Sequence, residues 1–257
     1  IVSAGGFHPE PQYDPNTSGK IVVTWIDMNT DDMKVVCATV ASNGTITFGT
    51  VATPLGSTNA SLPQLAFDPS TTGKFAIAYI GLAGVGRVIV GTLSGTTLSF
   101  GSPVNFASYN ISTNTYDNNN QPLDLQFDPN TAGKFVIAYL KQSNNYGYAI
   151  AGTVSGTTPS LGSEVAYNSS ACGTVTLGIS KKRTDKFIVG YMRSDHIVEC
   201  RVGTFTGTAL GFGSAVNVSG TSTYSGKTGA LSFDHNSYKF IYQYTGKSIN
   251  ASVSWTP

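Results

Sequence analysis

One phrase recurs through this chain and limits what it can fold into. Tyr13-Asp-Pro-Asn-Thr-Ser-Gly-Lys20, Phe67-Asp-Pro-Ser-Thr-Thr-Gly-Lys74 and Phe127-Asp-Pro-Asn-Thr-Ala-Gly-Lys134 are three clear copies. Looser copies fill 179–186 and 233–239, the last one residue shorter. Five residues beyond the five lysines stand Trp25, Tyr79, Tyr139, Tyr191 and Tyr244. The lysines are 54, 60, 52 and 53 residues apart. A fixed period of this length marks radially or linearly stacked units, each unable to bury its apolar face alone.

Each unit reads as four strands. The first ends at the Asp of the phrase, and the second is the alternating run after the Lys, as in Phe75-Ala-Ile-Ala-Tyr79. The third carries Gly91-Thr92, Gly152-Thr153 or Gly203-Thr204, and the fourth runs through Phe100-Gly-Ser-Pro-Val-Asn-Phe106 or its counterpart. In the turn, Asp accepts a backbone N–H, Pro fixes φ and Gly supplies positive φ. Four-stranded units of about 50 residues predict an all-β, five-bladed β-propeller in a single domain. Its blades fall at about 8–54, 62–107, 122–168, 173–219 and 227–257. The last unit lacks a fourth strand, so residues 1–4 are expected to pair with 249–255 and close the ring.

Alternation along the first strands separates two faces. Pro11, Leu65, Leu125, Leu177 and Leu231 fall on one face with Tyr13, Phe67, Phe127, Ile179 and Phe233, and are expected to pack between blades. Glu10, Gln64, Asp124, Thr176 and Ala230 fall on the other, facing a central tunnel. The connections divide in the same way. Those holding the repeated phrase are stereotyped. Those at the other end differ: Asp27-Met-Asn-Thr-Asp-Asp32, 81–87, 141–148, 193–196 and the long insertion 108–121. Variation gathered at one end of a rigid scaffold marks the expected functional face.

Composition removes several function classes. A net charge of +1 gives no nucleic-acid footprint. No apolar run has the length of a membrane-spanning helix. Cys37, Cys172 and Cys200 are too few for a disulfide framework and are read as buried free thiols, with a Cys172–Cys200 bond as the alternative. Glycosidases need two carboxylates flanking the scissile bond, and Glu10 and Asp124 alone project from first strands into the tunnel. With only three Glu in the chain, and Glu164 on an outer strand, the expectation is a domain that hydrolyses no glycan. Calcium needs converging oxygens. Two places offer them: the ring of Glu10, Gln64 and Asp124, and the loop with Asp27, Asp31 and Asp32. Asp117 is a weaker third. Candidate receptor contacts are Tyr109, Tyr116, Asn118, Asn144 and Tyr146, because tyrosines interleaved with amides suit binding loops and would suit sugars.

The repeat resembles those of structural proteins of marine bacteriophages, best over 127–157. The chain as a whole resembles the receptor-binding domain of corticovirus spike proteins. The fourth and fifth units depart from the motif at 180–185 and 235–238. The resemblance implies a virion-surface domain, joined to a capsid-anchoring part of the same spike. It implies calcium-dependent attachment to a marine host through a cell-surface receptor, which a glycan could supply. A five-bladed glycoside hydrolase using Glu10 and Asp124, and a secreted lectin, are the alternatives.

Overall fold

The repeated phrase folds as its chemistry dictates. Asp14, Asp68 and Asp128 are buried, and their Oδ1 atoms accept the amides of Asn16 (2.9 Å), Ser70 (2.9 Å) and Asn130 (3.0 Å). Gly19, Gly73 and Gly133 all have positive φ. In the fourth copy Ser180 replaces Asp and accepts the amide of Arg183 at 3.0 Å. These turns also tie one unit to the next: Asp68 Oδ2 accepts the amide of Gly133 at 2.8 Å, and Asn130 Nδ2 donates to the Ser180 carbonyl at 2.8 Å.

The computed structural model describes residues 5–112, 121–219, 230–234, 239–244 and 247–252, the last three segments by their backbone alone. Their strands form five antiparallel sheets. The first holds Gly6–Tyr13, Lys20–Asp27, Met33–Val40 and Ile46–Phe48. The second holds Ser61–Phe67, Lys74–Ile80, Val85–Ser94, Thr97–Phe100 and Val104–Asn110. Leu123–Phe127, Lys134–Leu140, Gly147–Ser155, Thr158–Leu161 and Val165–Asn168 make the third. Cys172–Ile179, Lys186–Arg193, Val198–Thr206, Ala209–Phe212 and Val216–Asn217 make the fourth, and Ala230–Asp234, Lys239–Tyr244 and Lys247–Ser252 the fifth. First strands lie beside one another in chain order. A closed ring is not seen among the described residues. The expected pairing of residues 1–4 with 249–255 lies outside them in part, since 1–4 and 253–257 are not described.

The outer strand departs from expectation, because it is two strands rather than one. In the second sheet Phe100 pairs with Gly91 while Val104 pairs with Val88, a one-residue slip at the Gly-Ser-Pro between them. The break has a packing cause. A Cβ on Gly101 would stand 2.2 Å from the carbonyl oxygen of Thr157, in the hairpin of the next sheet, and one on Gly162 would stand 2.2 Å from that of Thr208. Each bare glycine is where the following sheet docks.

The core lies between sheets. Val22, Ile26, Met33 and Val35 of the first meet Leu65, Phe67, Phe75 and Ile77 of the second. Leu125, Phe127, Phe135 and Ile137 continue the pattern in the next cleft, as do Leu177, Phe187 and Val189 in the one after. Pro11 and Tyr13 are exposed, Tyr13 by 63%, as are Ile46 and Phe48 on the same face of the first sheet; the fifth-sheet side chains expected to pack there lie outside the described residues. The three cysteines are free and buried as expected, and burial pushes the Cys172 and Cys200 thiols up to about 12.

Candidate functional site

The loops at the variable end are less irregular than their sequences suggest. Asp31, Asn145 and His196 occupy one equivalent place and are all left-handed, with φ of 54°, 54° and 64°. That conformation suits Asp, Asn and His better than other side chains. It turns a carbonyl toward the next connection: Asp31 O accepts the Ala60 amide at 3.0 Å, and Asn145 O accepts that of Cys172 at 2.9 Å. Asn144 Oδ1 accepts the Tyr146 amide (3.0 Å) and Asp27 Oδ1 that of Asn29 (2.9 Å), so both side chains hold their own turns. Asp32 is buried and pairs with Lys34 at 3.3 Å. Among the described residues no three His, Cys, Asp or Glu side chains converge as a metal-binding group. Asp27, Asp31 and Asp32 do not form one, nor do Glu10 and Asp124 with a third acid. Tyr116, Asn118 and Asp117 lie outside the described residues.

Tyr109 falls in a cluster built by two sheets. Tyr139 and Tyr148 are cross-strand partners, their rings 6.3 Å apart and within 22° of parallel. Tyr109 arrives from the last strand of the second sheet, its ring 6.0 Å from that of Tyr148. Lys141 Nζ lies 3.7 Å from the centre of the Tyr109 ring, close enough for an electrostatic attraction to its face. Glu164 accepts hydrogen bonds from the Tyr139 phenol at 2.7 Å and from that of Tyr109. Burial, then the Glu164 carboxylate, drive both phenols well above their ordinary range, so they stay neutral donors. Tyr109, Lys141 and Tyr148 are half-buried and Glu164 is exposed. The cluster therefore offers a rim of aromatic faces, an ammonium and a carboxylate. In the next cleft the polar groups satisfy each other. Tyr191 donates to Glu199 at 2.8 Å, Arg201 Nε donates to Tyr191 at 3.2 Å, and Arg193 Nη1 donates to Glu199 at 2.9 Å.

The face expected to line the centre holds its carboxyls differently. Asp124 is buried, and its oxygens accept the amides of Leu125 (2.7 Å) and, from the neighbouring sheet, Leu177 (2.6 Å). Burial pushes its carboxyl up to about 7 against those bonds, and the Glu10 charge adds to the rise. Glu10 is itself raised by burial, opposed by a bond from Gln12 at 3.1 Å. Gln64 turns its amide to the Pro63 carbonyl at 3.1 Å. Asp124 should make stability depend on pH. Its folded pKa lies above the ordinary 3.8, so the folded state holds the proton more tightly. Its contribution to stability is full below about pH 4 and is lost as pH rises to about 7, at roughly 1.4 kcal/mol for each tenfold difference in proton affinity between the folded and unfolded chain. Urea titrations from pH 4 to 8 should show that decline in the native chain and a flatter profile in Asp124→Asn. Equal slopes would contradict it.

No protein-family model and no curated protein matches the sequence. Solved structures do resemble it. A Lactobacillus plantarum protein superposes with a TM-score of 0.61 at 11% identity, over 91% of this chain and 64% of its own. Trypanosoma rangeli sialidase, bound to the inhibitor DANA, gives 0.54 at 11% identity over 94% of this chain. This chain spans only 44% of that sialidase. An Aleuria aurantia lectin in complex with Fucalpha1-6GlcNAc gives 0.51 at 12% identity, over 88% and 68%. At such identities the likeness establishes the fold alone, all-β and propeller-like. It also corrects the expectation that the domain hydrolyses no glycan. That expectation leaned on the scarcity of Glu, yet sialidases, which are glycoside hydrolases, are among the neighbours.

Proposed function

We propose that this chain recognises glycans through the cleft between its second and third sheets. The observation that carries the reading is the Tyr109, Tyr148, Lys141 and Glu164 cluster, beside the variable loops, on a fold shared with a lectin and a sialidase. Aromatic faces suit the CH face of a sugar, and the charged groups suit its hydroxyls. The resemblance to phage spike domains supplies a finer proposal, in which the glycan sits on a host surface and attachment depends on calcium. A glycan array probed with the native domain, with and without calcium, tests both parts. Lys141→Ala and Tyr109→Ala should each weaken binding at least tenfold, about 1.4 kcal/mol, with melting temperature nearly unchanged in Lys141→Ala, whereas Tyr109→Ala also loses ring packing. Binding unaffected by either change would move the site elsewhere.

A second reading has its own observation. Burial raises the carboxyls of both Glu10 and Asp124, and the Glu10 charge adds to the rise at Asp124; a glycosidase needs one carboxyl that stays protonated as an acid. Release of free sugar from sialosides or marine polysaccharides, lost in Glu10→Gln, would establish hydrolysis.

The finer form of the fold is also a proposal: the fifth sheet closes a five-bladed ring against the open face of the first. The exposed Tyr13, Ile46 and Phe48 on that face support it. Deleting residues 1–4, which would complete the last blade, should then lower stability by several kcal/mol as apolar surface is uncovered. An unchanged denaturation midpoint would count against closure.

A further inference from the structure

The cleft between the first and second sheets holds a cavity of about 380 Å³ at the same, variable end. Its size is within the range of small-molecule sites. Phe7, Ile80 and Leu82 give it apolar lining, and Asp31, Asn59 and Ser61 give it polar lining. The Asp31 backbone is fixed at both ends, its amide donating to the Asp27 carbonyl at 2.9 Å and its own carbonyl accepting from Ala60. Two lining residues, Asp31 and Ala83, hold positive φ at 54° and 59°. Asp31 and Asn59 are exposed and Ser61 is half-buried, and among the described residues none of their side chains has a protein hydrogen-bond partner. Leu82 stands at the rim, 63% exposed.

The geometry points to a second ligand site here, one for a single uncharged sugar ring, separate from the Tyr109 cluster and extending the glycan reading to a different cleft. The ring would turn its CH face to Phe7 and Leu82 and its hydroxyls to Asp31, Asn59 and Ser61. Asp31 is the one charged residue in the lining, so a carboxylate- or sulfate-bearing sugar is repelled. The Tyr109 cluster differs, since it carries an ammonium.

Amide chemical-shift mapping of the isotope-labelled domain tests this. The probes are methyl galactoside, N-acetylglucosamine and N-acetylneuraminic acid. The two neutral sugars should shift the amides of Asn59, Ser61, Gly81 and Leu82 saturably, and N-acetylneuraminic acid should not. Leu82→Arg, placed at an exposed position, should weaken the neutral-sugar response at least tenfold, as should Asp31→Asn, which tolerates the left-handed backbone. Lys141→Ala should leave it intact. Three results would overturn the site. One is shifts confined to Tyr109, Lys141 and Tyr148, which would leave the glycan reading standing. The second is no shift anywhere, which would sink both. The third is a neutral-sugar response that Leu82→Arg leaves unchanged. Shifts at the same amides from N-acetylneuraminic acid would overturn the assignment to an uncharged ligand.

Discussion

Gly73→Ala is expected to cost at least about 3 kcal/mol, whereas Gly44→Ala costs about 1–2. Both glycines are left-handed, with φ of 65° and 83°, and that conformation alone costs an L-residue about 1–2 kcal/mol. They differ in the space around them. Nothing lies within 4 Å of a Cβ on Gly44, but one on Gly73 would stand 2.2 Å from the Leu93 carbonyl oxygen. That oxygen belongs to the backbone and has no rotamer in which to escape. Moving it also strains the Leu93 amide's bond to the Gly73 carbonyl, now 2.7 Å long, worth about 1 kcal/mol. Urea denaturation of the two variants separates the two contributions. Equal losses would mean that the turn tolerates a side chain and that the repeated glycine has no packing role.

The second large effect concerns a pair. Phe135 faces Gly152 across two strands, as Phe75 faces Gly91 and Phe187 faces Gly203. The ring lies over the glycine so closely that a Cβ on Gly152 would meet Phe135 Cζ at 2.3 Å. Phe135 is fully buried, so its ring cannot swing aside. Gly152→Ala should therefore destabilise by about 1–3 kcal/mol through overpacking. Phe135→Ala should cost about 3–5 kcal/mol through the cavity it leaves. Gly152→Ala combined with Phe135→Leu should lose clearly less than the two single changes added together, because the smaller side chain makes room for the methyl. Strict additivity would show that the contact is not the reason this position is glycine.

These two sites also show what the sequence carried and what it did not. The Asp-Pro-x-Thr-x-Gly-Lys turn is a local device, so its hydrogen bonds and left-handed glycine were legible from residue types alone. The Gly-Thr of the third strand was visible as a recurrence, but its cause lay across the sheet, in the ring of the second strand. The split outer strand was hidden for a related reason: Gly101 is bare because the next sheet's hairpin presses on it. At the candidate site, Tyr109 was legible as a tyrosine in a variable segment. Lys141 and Tyr148 bounded a loop already marked as variable. Glu164, assigned by its position in the repeat to an outer strand far from the centre, instead sits in the break between Thr158–Leu161 and Val165–Asn168. Its neighbours are the phenols of Tyr109 and Tyr139, which come from two sheets, and no spacing along the chain encodes that meeting. Asp124 was legible as a carboxyl on the inner face. Its second partner, the Leu177 amide, belongs to another unit, so its burial and near-neutral pKa were not.

A glycan seated in the cleft of Tyr109, Tyr148 and Lys141 would bring its ring protons against the two tyrosines. The most direct measurement is an intermolecular NOE spectrum of the labelled domain with the strongest glycan from the array. Contacts from sugar ring CH protons to the aromatic protons of Tyr109 and Tyr148 are expected, and are expected to be lost in Lys141→Ala at the same glycan concentration. Contacts confined to other parts of the surface, or none at a saturating concentration, would contradict it.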